Sequence, residues 1–159
     1  MELKQKAQII VDFIDFCKES IGIKQLPKIK FIKDRSWVVK NRTFGQYENN
    51  TRSLIVYIGN RNLADICRTL AHELTHHKQN ELGLLDVNSG QTGSPIENEA
   101  HEIAGIIMRE YGKVQPLIYE NKQFILESID LYNINNIPKG INVTIQTETP
   151  KKIKRYNKV

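Results

Sequence analysis

Residues 72–76 read His-Glu-Leu-Thr-His, within a stretch that has the marks of a helix. Side chains four residues apart lie one helical turn above each other, so His72 and His76 can point at one ion. Glu73 then lies beside the ion, where its carboxylate can act as the general base toward a metal-activated water. The pattern predicts a catalytic site for one Zn²⁺ per chain. His77 points away from this pair and is expected at the surface.

A catalytic zinc usually takes three protein ligands and keeps one position for water, so another element must supply the third ligand. The best source is a downstream helix that begins at Ser94, where Ser94 is the N-cap and Glu97 completes a capping box. On this helix we expect Glu99 to bind the metal and Glu102 to accept the free ring N–H of a ligand histidine. The rival third ligand is His101, which points about 200° away from Glu99 on the same helix.

The motif at 72–76 and the segment 98–102 (Asn-Glu-Ala-His-Glu) together resemble the two signatures of the gluzincins, the thermolysin-type zinc peptidases. In that class the second signature is Asn-Glu-x-x-x-Asp and its Glu is the third ligand, which implies the same role for Glu99. Glu102 stands one place earlier than the usual Asp. The small size and the order of elements are also similar to minimal gluzincins and ImmA/IrrE-type domains. The resemblance covers residues 52–112.

The expected fold is an α+β domain of zincin-like order. An N-terminal helix is followed by a small, mostly antiparallel sheet, the active-site helix and a second helix that carries the third ligand. We expect Asn62 to cap the active-site helix and Gly83 to end it. Hydrophobic periodicity and turn residues place the remaining elements as helices at 2–20, 95–111 and around 124–129, and as strands at 28–33, 43–48, 52–58 and 141–146.

The bulk composition is that of an ordinary globular protein of 159 residues. The length indicates one domain over residues 1–150, which the resemblance implies is a zincin-like metallopeptidase domain, followed by a basic, mobile tail over residues 151–159. The net charge of +5 resides in that tail, because removing its five basic residues leaves 18 basic and 18 acidic residues. A nucleic-acid partner is therefore not expected. No apolar run is long enough to cross a membrane and no signal-peptide core is present, so the expected location is the cytoplasm, or the host cytoplasm for a phage-encoded chain.

The leading hypothesis is a zinc-dependent peptidase that hydrolyses peptide bonds in a peptide or protein substrate, with Glu73 as general base. The alternative is a non-catalytic zinc-binding module of zincin-like fold, with a regulatory or phage structural role. An extended substrate is expected to lie along the strand at 52–58. The group that stabilises the oxyanion stays open among five candidates, which are Tyr47, Tyr57, Tyr111, Tyr119 and His101. Cys17 and Cys67 are expected to be buried free thiols.

Overall fold

A computed structural model of the protein describes residues 3–86, 93–119 and 142–146. The elements in chain order are α1 (Leu3–Ile21), β1 (Lys28–Ile32), α2 (Arg35–Asn41), β2 (Gly45–Glu48), β3 (Ser53–Tyr57), α3 (Leu63–Glu81), α4 (Pro95–Val114), a 3-10 helix (Pro116–Tyr119) and β4 (Asn142–Gln146). The α+β class is therefore confirmed. The expected helix around 124–129 and the basic tail at 151–159 lie outside the described residues, as do residues 87–92.

The four strands form one mixed sheet in the order β2-β3-β1-β4. β1 pairs in parallel with both β3 and β4, and only β2 and β3 pair antiparallel. The prediction of a mostly antiparallel sheet was therefore wrong. The cause is that β3 inserts between β1 and β2, two strands that a simple meander would place side by side.

Helix α2, which the sequence analysis did not predict, separates β1 from β2. Its N-cap is Asp34, whose carboxylate accepts hydrogen bonds from the backbone N–H of Ser36 at 2.9 Å and from its hydroxyl at 2.7 Å. Its C-cap is Arg42, in the left-handed conformation with φ of 54°. The helix buries no residue, so it lacks the apolar stripe on which helix prediction depends.

The two long helices between β3 and β4 begin where their capping residues predict. The side chain of Asn62 accepts from the backbone N–H of Asp65 at 2.8 Å, and Ser94 Oγ accepts from the backbone N–H of Glu97 at 3.1 Å. Gly83, with φ of 71°, lies just beyond the end of α3. These caps are a local property of a few residues, so the sequence alone reveals them.

The core lies between the sheet and a layer formed by α1, α3 and α4. The Tyr111 ring meets the Phe13 ring edge-on at 5.0 Å, and its hydroxyl donates to the Ile9 carbonyl at 3.3 Å, so α4 is fixed against α1. Cys17 and Cys67 are buried free thiols in this core, as expected. Within the described residues, no helix combines the length and apolar composition required to cross a membrane.

His77 is buried with 1% of its surface exposed, so its expected surface position was wrong. Its Nε2 lies 2.6 Å from the Gln25 carbonyl oxygen, which can only accept, so Nε2 carries the proton. Its Nδ1 therefore accepts from the Tyr47 hydroxyl at 2.8 Å, and Asn80 Nδ2 donates to that hydroxyl at 3.0 Å. This chain of hydrogen bonds joins α3 to β2 and to the segment before β1. It therefore holds β2 beside α3.

Candidate metal centre

Three side chains from α3 and α4, each able to bind a metal ion, converge at one point of the surface. His72 Nε2 lies 2.8 Å from Glu97 Oε1, and His76 Nε2 lies 3.1 Å from Glu97 Oε2. The two Nε2 atoms are 3.2 Å apart. The predicted pair of imidazoles is therefore brought together, with a carboxylate as the third member, and the group could hold a metal ion.

The donor set and its spacing fit a zinc ion. Two imidazoles and one carboxylate are ligands that zinc takes in catalytic sites, and atoms bound to a tetrahedral zinc lie about 3.3 Å from one another. All three measured separations fall within about half an ångström of that value. Burial, together with the neighbouring His76 and His101, lowers the pKa of His72 to about 4 against the opposing effect of Glu97, so this ring is neutral near pH 7. A neutral ring offers a lone pair to a cation.

The third member of the group is Glu97, and the structure does not bring Glu99, the third ligand expected from the sequence, to the two histidine nitrogens. Each residue advances a helix by 100°, so Glu97 and Glu99 project about 200° apart. The buried face of α4 carries Ala100, Ala104, Ile107, Met108 and Tyr111. Glu97 lies one turn before Ala100 and two turns before Ala104, in line with that face. The motif resemblance implies Glu99 instead, because it follows the register of the sequence signature and not the rotation of α4 against α3.

Glu99 acts on the centre through an intermediate residue, Gln79. The Gln79 amide nitrogen donates to the Ile96 carbonyl at 3.0 Å and to Glu99 Oε1 at 2.9 Å. Because both partners only accept, they fix the orientation of the amide, and Gln79 Oε1 is left 2.8 Å from His76 Nδ1. His76 must therefore carry its proton on Nδ1 and direct the lone pair of Nε2 into the site.

Glu102 was expected to fix the tautomer of a ligand histidine, and the structure does not place it there. Its side chain is exposed on the outer side of α4. The residue that contacts the Nδ1 atom of His76 is Gln79, which lies on α3 three residues after that histidine. A glutamine at this spacing on the same helix can reach the ring, so the sequence did contain a clue to it.

The predicted general base, Glu73, lies in the wall of the same site. It lines the cleft with both imidazoles and Glu97, and only 5% of its surface is exposed. Burial raises the pKa of Glu73 to about 8, and the Glu97 carboxylate adds to the rise. A cation bound beside these two carboxylates acts in the opposite direction, because it favours their charged forms.

Glu73 is packed against the first residue of β2. A Cβ atom added to Gly45 would lie 2.5 Å from Thr69 Cγ2 and 3.1 Å from Glu73 Cγ. Thr69 is β-branched and cannot easily rotate away. Only glycine therefore allows β2 to approach α3 this closely at the level of Glu73.

Replacing Gly45 with alanine is expected to destabilise the protein by about 1–3 kcal/mol, because the added methyl overpacks the contact between β2 and α3. The control is Gly105→Ala on α4, where an added Cβ meets nothing within 4 Å and alanine favours the helix by about 0.5–1 kcal/mol. Urea denaturation of both variants measures the difference. Equal stability of Gly45→Ala and the parent would contradict the close packing described here.

The candidate metal centre opens into a cleft of about 680 Å³ between α3, α4 and β2. Gly45, Gln46 and Tyr47 form its strand side. β2 pairs with β3 on one side and is the edge strand of the described sheet. The expected substrate strand at 52–58 corresponds to β3, which lies inside the sheet between β2 and β1. β4 is at the opposite edge from β2, away from the cleft.

Four of the five candidates for oxyanion stabilisation are placed elsewhere or already bonded. Tyr111 and Tyr119 donate to backbone carbonyls of Ile9 and Met108, and Tyr47 is tied to His77. Tyr57 lines a neighbouring cavity rather than the cleft. The remaining candidate is His101, which lines the cleft and has a side chain that is 69% exposed. Its ring centroid is 4.4 Å from that of His72, and its Nε2 is 3.4 Å from Glu97 Oε1.

No protein-family model, no curated protein and no solved structure matches this chain.

Proposed function

We propose that the protein is a zinc-dependent peptidase. The observation that carries this proposal is the convergence of two histidine Nε2 atoms and one Glu97 carboxylate beside a buried glutamate, Glu73, in an open cleft. A structural zinc site is usually closed by four Cys or His ligands, whereas three ligands in an open cleft leave a position for water and substrate. His72, His76 and Glu97 would hold the ion.

At this place a zinc ion would supply Lewis-acid chemistry toward the substrate carbonyl and the attacking water. Glu73 accepts the proton of the attacking water and delivers it to the amine that leaves when the C–N bond breaks. Its place in the wall of the cleft, beside both imidazoles and Glu97, suits this proton transfer.

The cleft supports an extended peptide as the substrate. β2 is an edge strand that borders the metal centre, and a peptide can add to such an edge through main-chain hydrogen bonds. His101 lies at the opening beside His72 and is the residue that we assign to stabilising negative charge on the carbonyl oxygen. The alternative, a zinc-binding module without catalysis, has no use for a glutamate buried at the position of Glu73.

The test is peptide hydrolysis with and without the metal. We expect the purified protein to contain one zinc per chain and to cleave an unstructured protein such as casein. Treatment with 1,10-phenanthroline should abolish cleavage, and added zinc should restore it. The His76→Ala variant should lack both zinc and activity.

Two outcomes decide between the proposals. Hydrolysis that survives the chelator, or that His76→Ala retains, would rule out a metal-dependent reaction at this site. One zinc per chain without cleavage of any unstructured protein or peptide mixture would favour the non-catalytic module.

A further inference from the structure

A second cavity, of about 920 Å³, adjoins the cleft at the start of β2. The two cavities share Phe44, Arg68 and Thr69 in their walls. Arg68 precedes His72 by four residues, so it lies one turn from the first metal ligand on the same face of α3. A peptide that lies along β2 at the metal centre can therefore extend into this second cavity.

The second cavity is strongly cationic. Arg35, Arg61 and Arg68 line it, and Asp65 is the one acidic side chain among its lining residues. Within the described part of the chain, none of the three arginines has an ion pair with a carboxylate. Arg35 and Arg68 are exposed. Three guanidinium groups around one cavity without carboxylate partners are an arrangement that attracts an anion.

Arg61 is held rigidly by neutral groups. Its guanidinium donates to the carbonyls of Tyr57 at 2.8 Å and Asp65 at 3.1 Å, and to Thr69 Oγ1 at 2.8 Å. It also stacks on the Phe44 ring at 4.5 Å. These acceptors fix its position but leave its charge uncompensated by direct contact, so it contributes a preorganised positive field to the cavity.

The cavity also has an apolar wall. Val39 and Phe44 are among its lining residues and are 69% and 51% exposed. An apolar wall beside guanidinium groups suits a side chain with a methylene stem and a terminal carboxylate, such as glutamate. The first turn of α3, at the other side of the cavity, adds the positive end of a helix dipole, which Asp65 partly offsets.

We infer that this cavity, the arginine subsite, binds an acidic side chain of the peptide substrate a few residues from the bond that is cleaved. The substrate class is therefore acidic peptides rather than peptides at large. The inference depends on the proposed function only for calling the bound peptide a substrate. The carboxylate contact itself depends on Arg35 and Arg68 and needs no turnover.

Binding is measured by fluorescence anisotropy with the full chain carrying Glu73→Gln, so that no peptide is cleaved. The probes are short fluorescein-labelled peptides of alanine and glycine with a single Glu moved along the sequence, and matched peptides with Gln in its place. We expect the best Glu peptide to bind about tenfold more tightly than its Gln counterpart, the effect of one charge-assisted hydrogen bond. Salt should reduce this preference, because exposed charges are screened.

The variants Arg68→Gln and Arg35→Gln should reduce the preference for Glu, and the double variant should abolish it. Both side chains are exposed, so we expect folding to be unaffected, and circular dichroism of each variant checks this expectation. The control is Arg109→Gln, an exposed arginine on α4 that lines neither cavity, which should keep the full preference. Arg61 is left intact because its hydrogen bonds support the fold.

Three outcomes would overturn the inference. They are equal or undetectable binding of the Glu and Gln peptides, a preference that survives in the double variant, and tighter binding of a single-stranded oligonucleotide that the same variants lose. Hydrolysis of casein without any Glu preference would contradict the arginine subsite but not the proposed peptidase activity. A Glu preference in a protein that cleaves nothing would support the arginine subsite and contradict the peptidase proposal.

Discussion

Replacing Glu97 with glutamine is expected to weaken zinc binding by more than about 100-fold. Removing a ligand lowers metal affinity more than removing a residue that only hydrogen-bonds a ligand, which lowers it by about 10–100-fold. The same change at Glu99 should weaken it by less than about tenfold, because Glu99 reaches His76 only through Gln79. Zinc content after dialysis and competition with a chelating dye measure both affinities.

The two variants control each other. They carry the same chemical change on the same helix, two residues apart. Both variants keep the N-cap hydrogen bond of α4, which joins the backbone N–H of Glu97 to Ser94 Oγ. Retention of zinc by Glu97→Gln together with its loss from Glu99→Gln would restore the ligand set that the motif resemblance implies and would contradict the geometry of the centre.

Glu73→Gln is expected to lower kcat by about 10²–10⁴-fold while zinc content stays at that of the parent. The amide has the shape of the carboxylate but cannot accept the proton of the attacking water. Stability should not fall, because a neutral amide is easier to bury than a charged carboxylate at a position with 5% exposure. Single-turnover cleavage of a fluorogenic peptide, zinc analysis and urea denaturation measure the three quantities.

Glu81→Gln is the matched control on the same helix. Glu81 accepts from the backbone N–H groups of Lys24 and Gln25 and does not line the cleft. Its variant should keep kcat and lose some stability, the opposite pattern to Glu73→Gln. Full turnover by a zinc-loaded Glu73→Gln protein would remove this residue from the mechanism.

The parts of the structure that the sequence predicts well are those set by short-range chemistry. Asn62 and Ser94 cap the helices that they were expected to cap, since an N-cap requires only its own side chain and a backbone N–H three residues later. The pairing of His72 and His76 follows in the same way from the pitch of one helix. Local geometry of this kind depends only on residues that are close together in the sequence.

The errors concern contacts between elements. The expected sheet lacked the insertion of β3 between β1 and β2, because strand order depends on long-range packing that alternating residues do not encode. The choice between Glu97 and Glu99 depends on how α4 is rotated against α3, which in turn depends on where Ala104 and Met108 pack. Likewise, the burial of His77 depends on the Gln25 carbonyl, which is distant in sequence.

The proposed ligands come from two helices, so an ion shared by them would also act as a cross-link. It would tie α3 to α4 and close the chain segment between residues 76 and 97, which restricts the unfolded chain more than the folded one. The free energy of metal capture would then be added to that of folding. A cell short of zinc would thus hold a molecule that is more easily melted and degraded, so the amount of this protein, and not only its turnover, would follow the metal supply.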